Sequence, residues 1–344
     1  MKETVANFDI HRLFRFRVIS SNKRAVEIFK SKFLFFYKEE MDHSDLDIFL
    51  GDYKVKKKVL SASKDSSSGD GFIDYRDYYK VVKWRIMLDN LEDKKWDLYC
   101  HSNYIVGYEA LITKVIRPLF SLKLAMEGMS LIHASAIAFK DRAWVFSALP
   151  GVGKSSLSFF LSKDEKGFFS DENVLIDSKG EVFSFPLSIP YTTAMSRHLN
   201  FKIDLSLKEL CEVRFGDLLL FLSRGFLERS FSLHPERCFK IQDRAPLDKL
   251  FILTKSPEDF SSREIGPGEG AEKLLQINSY EMVIIMKYLY PYFLVNPKSR
   301  LLDRESKMLN NFKAVLTGKK IFGVNLNQAD FKDSLVQFEE FLSR

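Results

Sequence analysis

The run Ala148-Leu149-Pro150-Gly151-Val152-Gly153-Lys154-Ser155-Ser156 has the composition of a backbone that wraps an anion. Successive N–H groups close around a phosphate only where no side chain intervenes, and Gly151 and Gly153 give that access. Lys154 has the charge and reach to bridge β- and γ-phosphates, and Ser155 offers a hydroxyl to magnesium. A helix beginning behind the loop would add partial positive charge at its N-terminus. The pattern departs from the usual phosphate loop only at its first position, where Ala148 stands for glycine. Pro150, Gly151, Val152, Gly153, Lys154, Ser155 and Ser156 are therefore the expected triphosphate-binding residues, with ATP and Mg2+ as the expected ligands.

Two further positions carry chemistry. In Phe168-Phe169-Ser170-Asp171-Glu172-Asn173-Val174-Leu175-Ile176 an apolar strand bears an acidic pair about one helix after the loop. That placement suits Asp171 as the base that polarises an acceptor hydroxyl, with Glu172 near the metal. His133 precedes Lys154 on an apolar run that pairs, as a hairpin, with the strand feeding the loop, so pairing would bring it beside the phosphates.

The elements that must hold these residues read as follows. The first 60 residues are β-rich, with strands expected at 13–19, 32–37 and 47–50, a basic cluster at 54–58 and a polar loop at 61–71. Strands are expected again at 78–88 and 96–101. From Tyr108 to Glu127 the apolar spacing becomes helical, with Gly128 as the stop and Pro118 as a kink. The domain boundary is placed here, giving 1–127 and 128–344. Runs 129–139 and 142–148 flank Lys140-Asp141 as a hairpin. Then follow a helix at 155–161, a strand at 167–176, a turn at 177–180, strands at 181–185 and 250–254, and a turn at 267–270 leading into a helix. A helix at 303–316, a strand at 320–324 and an amphipathic helix with Phe331, Leu335, Phe338 and Leu342 on one face close the chain.

Bulk properties narrow the class. The 344 residues are 46% hydrophobic, enough for two packed cores, and 52 basic against 46 acidic residues leave only +6, without the dense basic stripe of a nucleic-acid binder. Cys100, Cys211 and Cys238 are too widely spaced for a disulfide framework, the first residues lack a signal-peptide run, and no apolar stretch reaches the roughly 20 residues of a membrane span. These features predict a cytoplasmic protein that engages neither nucleic acid nor membrane. Homo-oligomerisation is compatible with them.

The segments 131–136, 148–156 and 170–174 together resemble the bacterial HPr kinase/phosphorylase family, and more closely its diverged relatives in peptide-modification gene clusters, including kinases of lasso-peptide precursors. The resemblance implies an α/β chain: a P-loop kinase domain of the HPr kinase and ATP-dependent phosphoenolpyruvate carboxykinase type, preceded by a β-rich N-terminal domain. It also implies transfer of the γ-phosphoryl group to a serine of a peptide or protein. In that family's terms His133 lies near the transferred phosphate, Lys154 on the phosphates, Ser155 on magnesium, and Asp171 accepts the serine proton. Cys211-Glu212-Val213-Arg214-Phe215-Gly216 is similar to the family's Glu-Ile-Arg-Gly segment and implies Glu212 as a further metal ligand. Glu172 stands where those enzymes have Asp, and their glycine-rich phosphorolysis segment is absent, which argues against a reverse activity. A kinase of a small metabolite such as free serine, and a non-catalytic ATP-binding regulatory module, are the alternatives.

Overall fold

The computed structural model describes residues 3–105, 107–162, 167–191, 205–222 and 231–343. The chain is mixed α/β and separates into two compact units, 1–132 with 271–315, and 133–270 with 316–344. Compared with the expected division at 127, the helical segment 271–315 returns to the first unit.

The first unit is built on one twisted sheet. Its strands are β1 (Thr4–Ile10), β2 (Phe14–Ser20), β3 (Tyr37–Lys38), β4 (Leu46–Leu50), β5 (Ser61–Ala62), β6 (Ser66–Gly69), β7 (Phe72–Tyr79), β8 (Val82–Asp89) and β9 (Trp96–Ser102). They lie in the order β3-β1-β2-β4-β9-β8-β7-β6-β5. Alternation does the sorting: in β2, Phe14, Phe16, Val18 and Ser20 are buried while the residues between them are half-exposed. The buried rings meet Phe120 of the helix Arg117–Met126, with Phe16 and Phe14 at 4.8 and 5.0 Å between centroids. Phe33 joins at 5.2 Å from Phe16.

Several expectations are corrected here. Of the segment 32–37 only Tyr37 enters a strand, β3: Phe33 caps the helix Lys23–Lys32, and Leu34–Phe36 forms a turn of 3-10 helix. Only Phe33 and Phe36 of it are buried, a spacing of three that suits a helical turn rather than a pleat. The polar stretch 61–71 is not a loop throughout, because β5 and β6 pair across it. Expected strand 78–88 is a hairpin instead, turning at Lys80-Val81 between β7 and β8. The helical run 107–126 is confirmed, but Pro118 does not stand at a simple kink. It lies in the first turn of Arg117–Met126, directly after the π-helical turn Ile112–Ile116.

The helix Val283–Val295 packs on the buried side of β7 and β8, where Tyr288 stacks at 4.4 Å on Tyr75 and its hydroxyl meets Trp84 Nε1 and Asp77 Oδ2 at 3.1 and 3.0 Å. Glu92 ties down its end by accepting from the Tyr292 and Ser299 hydroxyls, both at 2.5 Å.

The second unit contains β10 (Ser130–Phe139, entering from the first), β11 (Arg142–Ser147), β12 (Gly167–Ser170), β13 (Asn173–Ile176), β14 (Glu181–Phe183), β15 (Ile189–Tyr191), β16 (Phe231–Leu233), β17 (Arg244–Ser256), β18 (Ser261–Glu264) and β19 (Lys320–Asn327). Strands β11, β17 and β19 run parallel, and β10 pairs antiparallel with β11. The path β11-β10-β13-β14-β17 returns to β11, so the strands close a circuit. Lys140 and Asp141, at φ 51° and 59°, form the tight β10–β11 turn. The helices Lys154–Leu161 and Phe331–Ser343 contribute Leu157, Leu161, Leu335 and Phe338 to one buried cluster with Ile137, Phe146 and Phe251. The helix expected after residues 267–270 begins at Pro267 itself, a residue preorganised for a first turn. Among the described residues no helix is long and apolar enough to cross a membrane.

On the exposed side of the first sheet, Asp47 is buried to 4% and holds Arg17 and Lys95 at 2.6 and 2.7 Å, with the Ser44 hydroxyl at 2.6 Å. Burial raises its pKa, but the bonds from Arg17, Lys95 and Ser44 outweigh this and hold it at about 2. Because the folded value lies below the unfolded value near 3.9, the stabilisation is complete above about pH 4 and is lost as pH falls toward 2. Urea unfolding between pH 5 and 2 should show a loss of roughly 2 kcal/mol that disappears in Asp47→Asn. An unchanged acid limb in that variant would remove Asp47 as its source.

Candidate functional site

The strand β11 ends at Ser147 and the chain turns through 148–153 into the helix Lys154–Leu161. Two glycines make the turn possible: Gly151 has φ 81° and Gly153 φ 117°, regions that side chains resist. Gly153 is doubly constrained, since a Cβ there would lie 2.4 Å from Phe331 Cζ. Ala148 is fully buried in the core cluster, which explains why a methyl is accepted at the motif's first position. Leu149, Pro150 and Gly151 are exposed, and Val152, Gly153, Ser155 and Ser156 are partly exposed.

Lys154 is 7% exposed. Its Nζ lies 2.9 Å from His133 Nε2 and donates to the Ala148 carbonyl at 2.9 Å. An ammonium donates only, so His133 Nε2 accepts when Lys154 is charged. The strand β10 thus brings His133 to the loop lysine, as its pairing with β11 implies. Two serines that sequence reasoning gave no role brace the pair. The Ser147 hydroxyl donates to the His133 carbonyl at 2.9 Å, and the Ser135 hydroxyl to the Lys154 carbonyl at 3.3 Å. Both serines are fully buried within apolar runs, the signal that could have found them, because a buried hydroxyl needs a partner.

The expected strand 167–176 is broken by the acidic pair. β12 ends at Ser170, β13 starts at Asn173, and Asp171-Glu172 is the corner between them. Ser170 pairs with Ala136, and the Ala134 N–H donates to the Glu172 carbonyl at 3.2 Å, so the corner crosses β10 beside Ser135. The backbone therefore carries Asp171 and Glu172 past the strand that bears His133. Asp171 Oδ1 is buried while the residue as a whole is partly exposed.

Glu212 is placed differently. It lies exposed on the helix Leu207–Leu222, and among the described residues no hydrogen bond or ion pair ties it to the loop. That helix opens with a capping box, the Ser206 N–H donating to Glu209 Oε2 at 2.8 Å and the Glu209 N–H to Ser206 Oγ at 3.4 Å. Arg237, with the bonds from Ser206, holds Glu209 at about 2.

Among the described residues no group of three or more His, Cys, Asp and Glu is arranged to hold a metal. Ser155 lies partly exposed in the first turn of the helix Lys154–Leu161, and Glu172 lies partly exposed at the corner between β12 and β13. No protein-family model matches the chain, and no curated protein matches it.

The loop's geometry yields a stability test. Gly153→Ala should destabilise by about 2 kcal/mol, combining backbone strain with the clash at Phe331. Adding Phe331→Ala should restore only the clash component, seen as a non-additive double-mutant cycle in urea. Strict additivity would show that the ring does not limit residue 153.

Proposed function

We propose that the chain is an ATP- and Mg2+-dependent kinase that transfers the γ-phosphoryl group to a hydroxyl, that of a serine of a peptide or protein, on a domain of the HPr-kinase type. The observation that carries this reading is the 2.9 Å contact of Lys154 Nζ with His133 Nε2 at the start of a helix, beside the strand crossed by Asp171. A nucleotide-binding loop alone needs neither the histidine nor the acidic corner.

In this reading the loop amides of 151–156 cradle the β-phosphate, and Lys154 exchanges its contact with Ala148 for the phosphates. Mg2+, held by Ser155 with Glu172 nearby, would supply neutralisation of phosphate charge. Asp171 takes the proton of the acceptor hydroxyl as its oxygen forms the new bond to the γ-phosphorus. The bond from that phosphorus to the β–γ bridging oxygen breaks, and ADP leaves with the electron pair. His133 keeps the lysine ammonium oriented and lies where charge spreads over the transferred group.

Incubation with γ-labelled ATP, Mg2+ and serine-containing peptides or cell extract should give label on the acceptor. Asp171→Asn should lower the rate by about 10²- to 10⁴-fold while ATP binding persists. Undiminished transfer by that variant would remove Asp171 as the base.

A further inference from the structure

The exposed face of β7, β8 and β9 carries a cleft of about 340 Å3, remote in sequence from the phosphate loop. One cross-strand row on that face is basic throughout: Arg76 lies opposite Arg85, and Arg85 opposite His101. Like charges placed opposite one another cost stability, so folding alone does not call for this row. Arg85 is neutralised by Asp74 at 2.9 Å, and His101 Nδ1 lies 2.9 Å from Asp52 Oδ1. Arg76 and Lys83 are exposed, and among the described residues neither enters an ion pair. Of the two acidic residues that line it, Asp77 turns its carboxylate to the opposite face, where Lys287 and Tyr288 engage it, which leaves Asp65 against two uncommitted cations. Tyr78, directly opposite Lys83, is 70% exposed, an amphipathic ring of the kind that anchors protein contacts.

We propose that this cleft docks an extended acidic segment of the peptide or protein that the chain phosphorylates, a docking role that rests on the kinase reading above. Arg76 and Lys83 are diagonal neighbours on adjacent strands, a relation that sets side-chain origins about 7–8 Å apart. Alternate residues of an extended chain repeat at roughly 6.6–6.8 Å. Carboxylates at positions i and i+2 therefore match the two cations, and Tyr78 covers the residue beside them. A nucleic-acid strand fits less well: binding along a phosphodiester backbone needs a longer run of free cations, and on this wall, among the described residues, only Arg76 and Lys83 are uncommitted.

Fluorescence anisotropy of a labelled alternating Glu-Gly peptide against the full chain tests this. The peptide should bind, alternating Gln-Gly should not, and Arg76→Gln and Lys83→Gln should each weaken binding about tenfold with unchanged thermal melting and ATP affinity. Equal binding by the double variant, or tighter binding of oligo-dT through the same two residues, would overturn the cleft assignment. A version with serine in place of one glycine separates the two readings. Docking that depends on Arg76 and Lys83 without any label transfer from ATP overturns the docking of a kinase substrate through its kinase premise, whereas transfer that ignores both residues overturns the cleft alone.

Discussion

Lys154 places a cationic group where little water reaches it, and such a group is tolerated only among donors' complements and developing or bound negative charge. His133 Nε2 and the Ala148 carbonyl are among its partners, and each belongs to a different element. For all three to meet, β10 and β11 must pair in one register, the loop must turn through two left-handed glycines, and the helix must start at residue 154. Ser147 and Ser135 fasten the same register from behind. A slip of one residue in the hairpin would turn His133 to the opposite face of the strand and leave the lysine without it.

The same register explains the acidic corner. Because β12 and the Glu172 carbonyl pair with β10, the chain brings Asp171 back across the strand that supplies His133. Asp171, Lys154 and the amides of the glycine turn thus share one scaffold in the second unit. The first unit answers a different physical problem: its phenylalanines fill the space between sheet and helices, while its exposed face is laced with ion pairs such as Asp47 with Arg17 and Arg85 with Asp74.

What the sequence revealed follows how local each signal is. The glycine turn into the helix at Lys154, the Lys140-Asp141 hairpin and the final amphipathic helix are written in adjacent residues and are found where expected. Segment 32–37 misled because five aromatic and apolar residues in a row satisfy a strand or a helical turn equally, and only the packing of Phe33 and Phe36 decides. Val283–Val295 carried no reading at all, since it is apolar around nearly its whole circumference and its docking partners Trp84 and Tyr75 are far away in sequence. In the candidate site, the approach of His133 to Lys154 was legible through the hairpin, whereas the break of the strand at Asp171 and Phe331 over Gly153 required tertiary structure. Glu212 came from a resemblance alone, and it lies exposed on the helix Leu207–Leu222.

The central claim, that 148–156 is a triphosphate cradle organised by Lys154, is tested most directly by calorimetric titration of the intact protein with ATP and Mg2+. Stoichiometric binding that weakens at least tenfold in Lys154→Ala, with melting in the absence of nucleotide preserved, is the expected result. Equal affinity in the variant, or no binding by the unmodified chain, would contradict it.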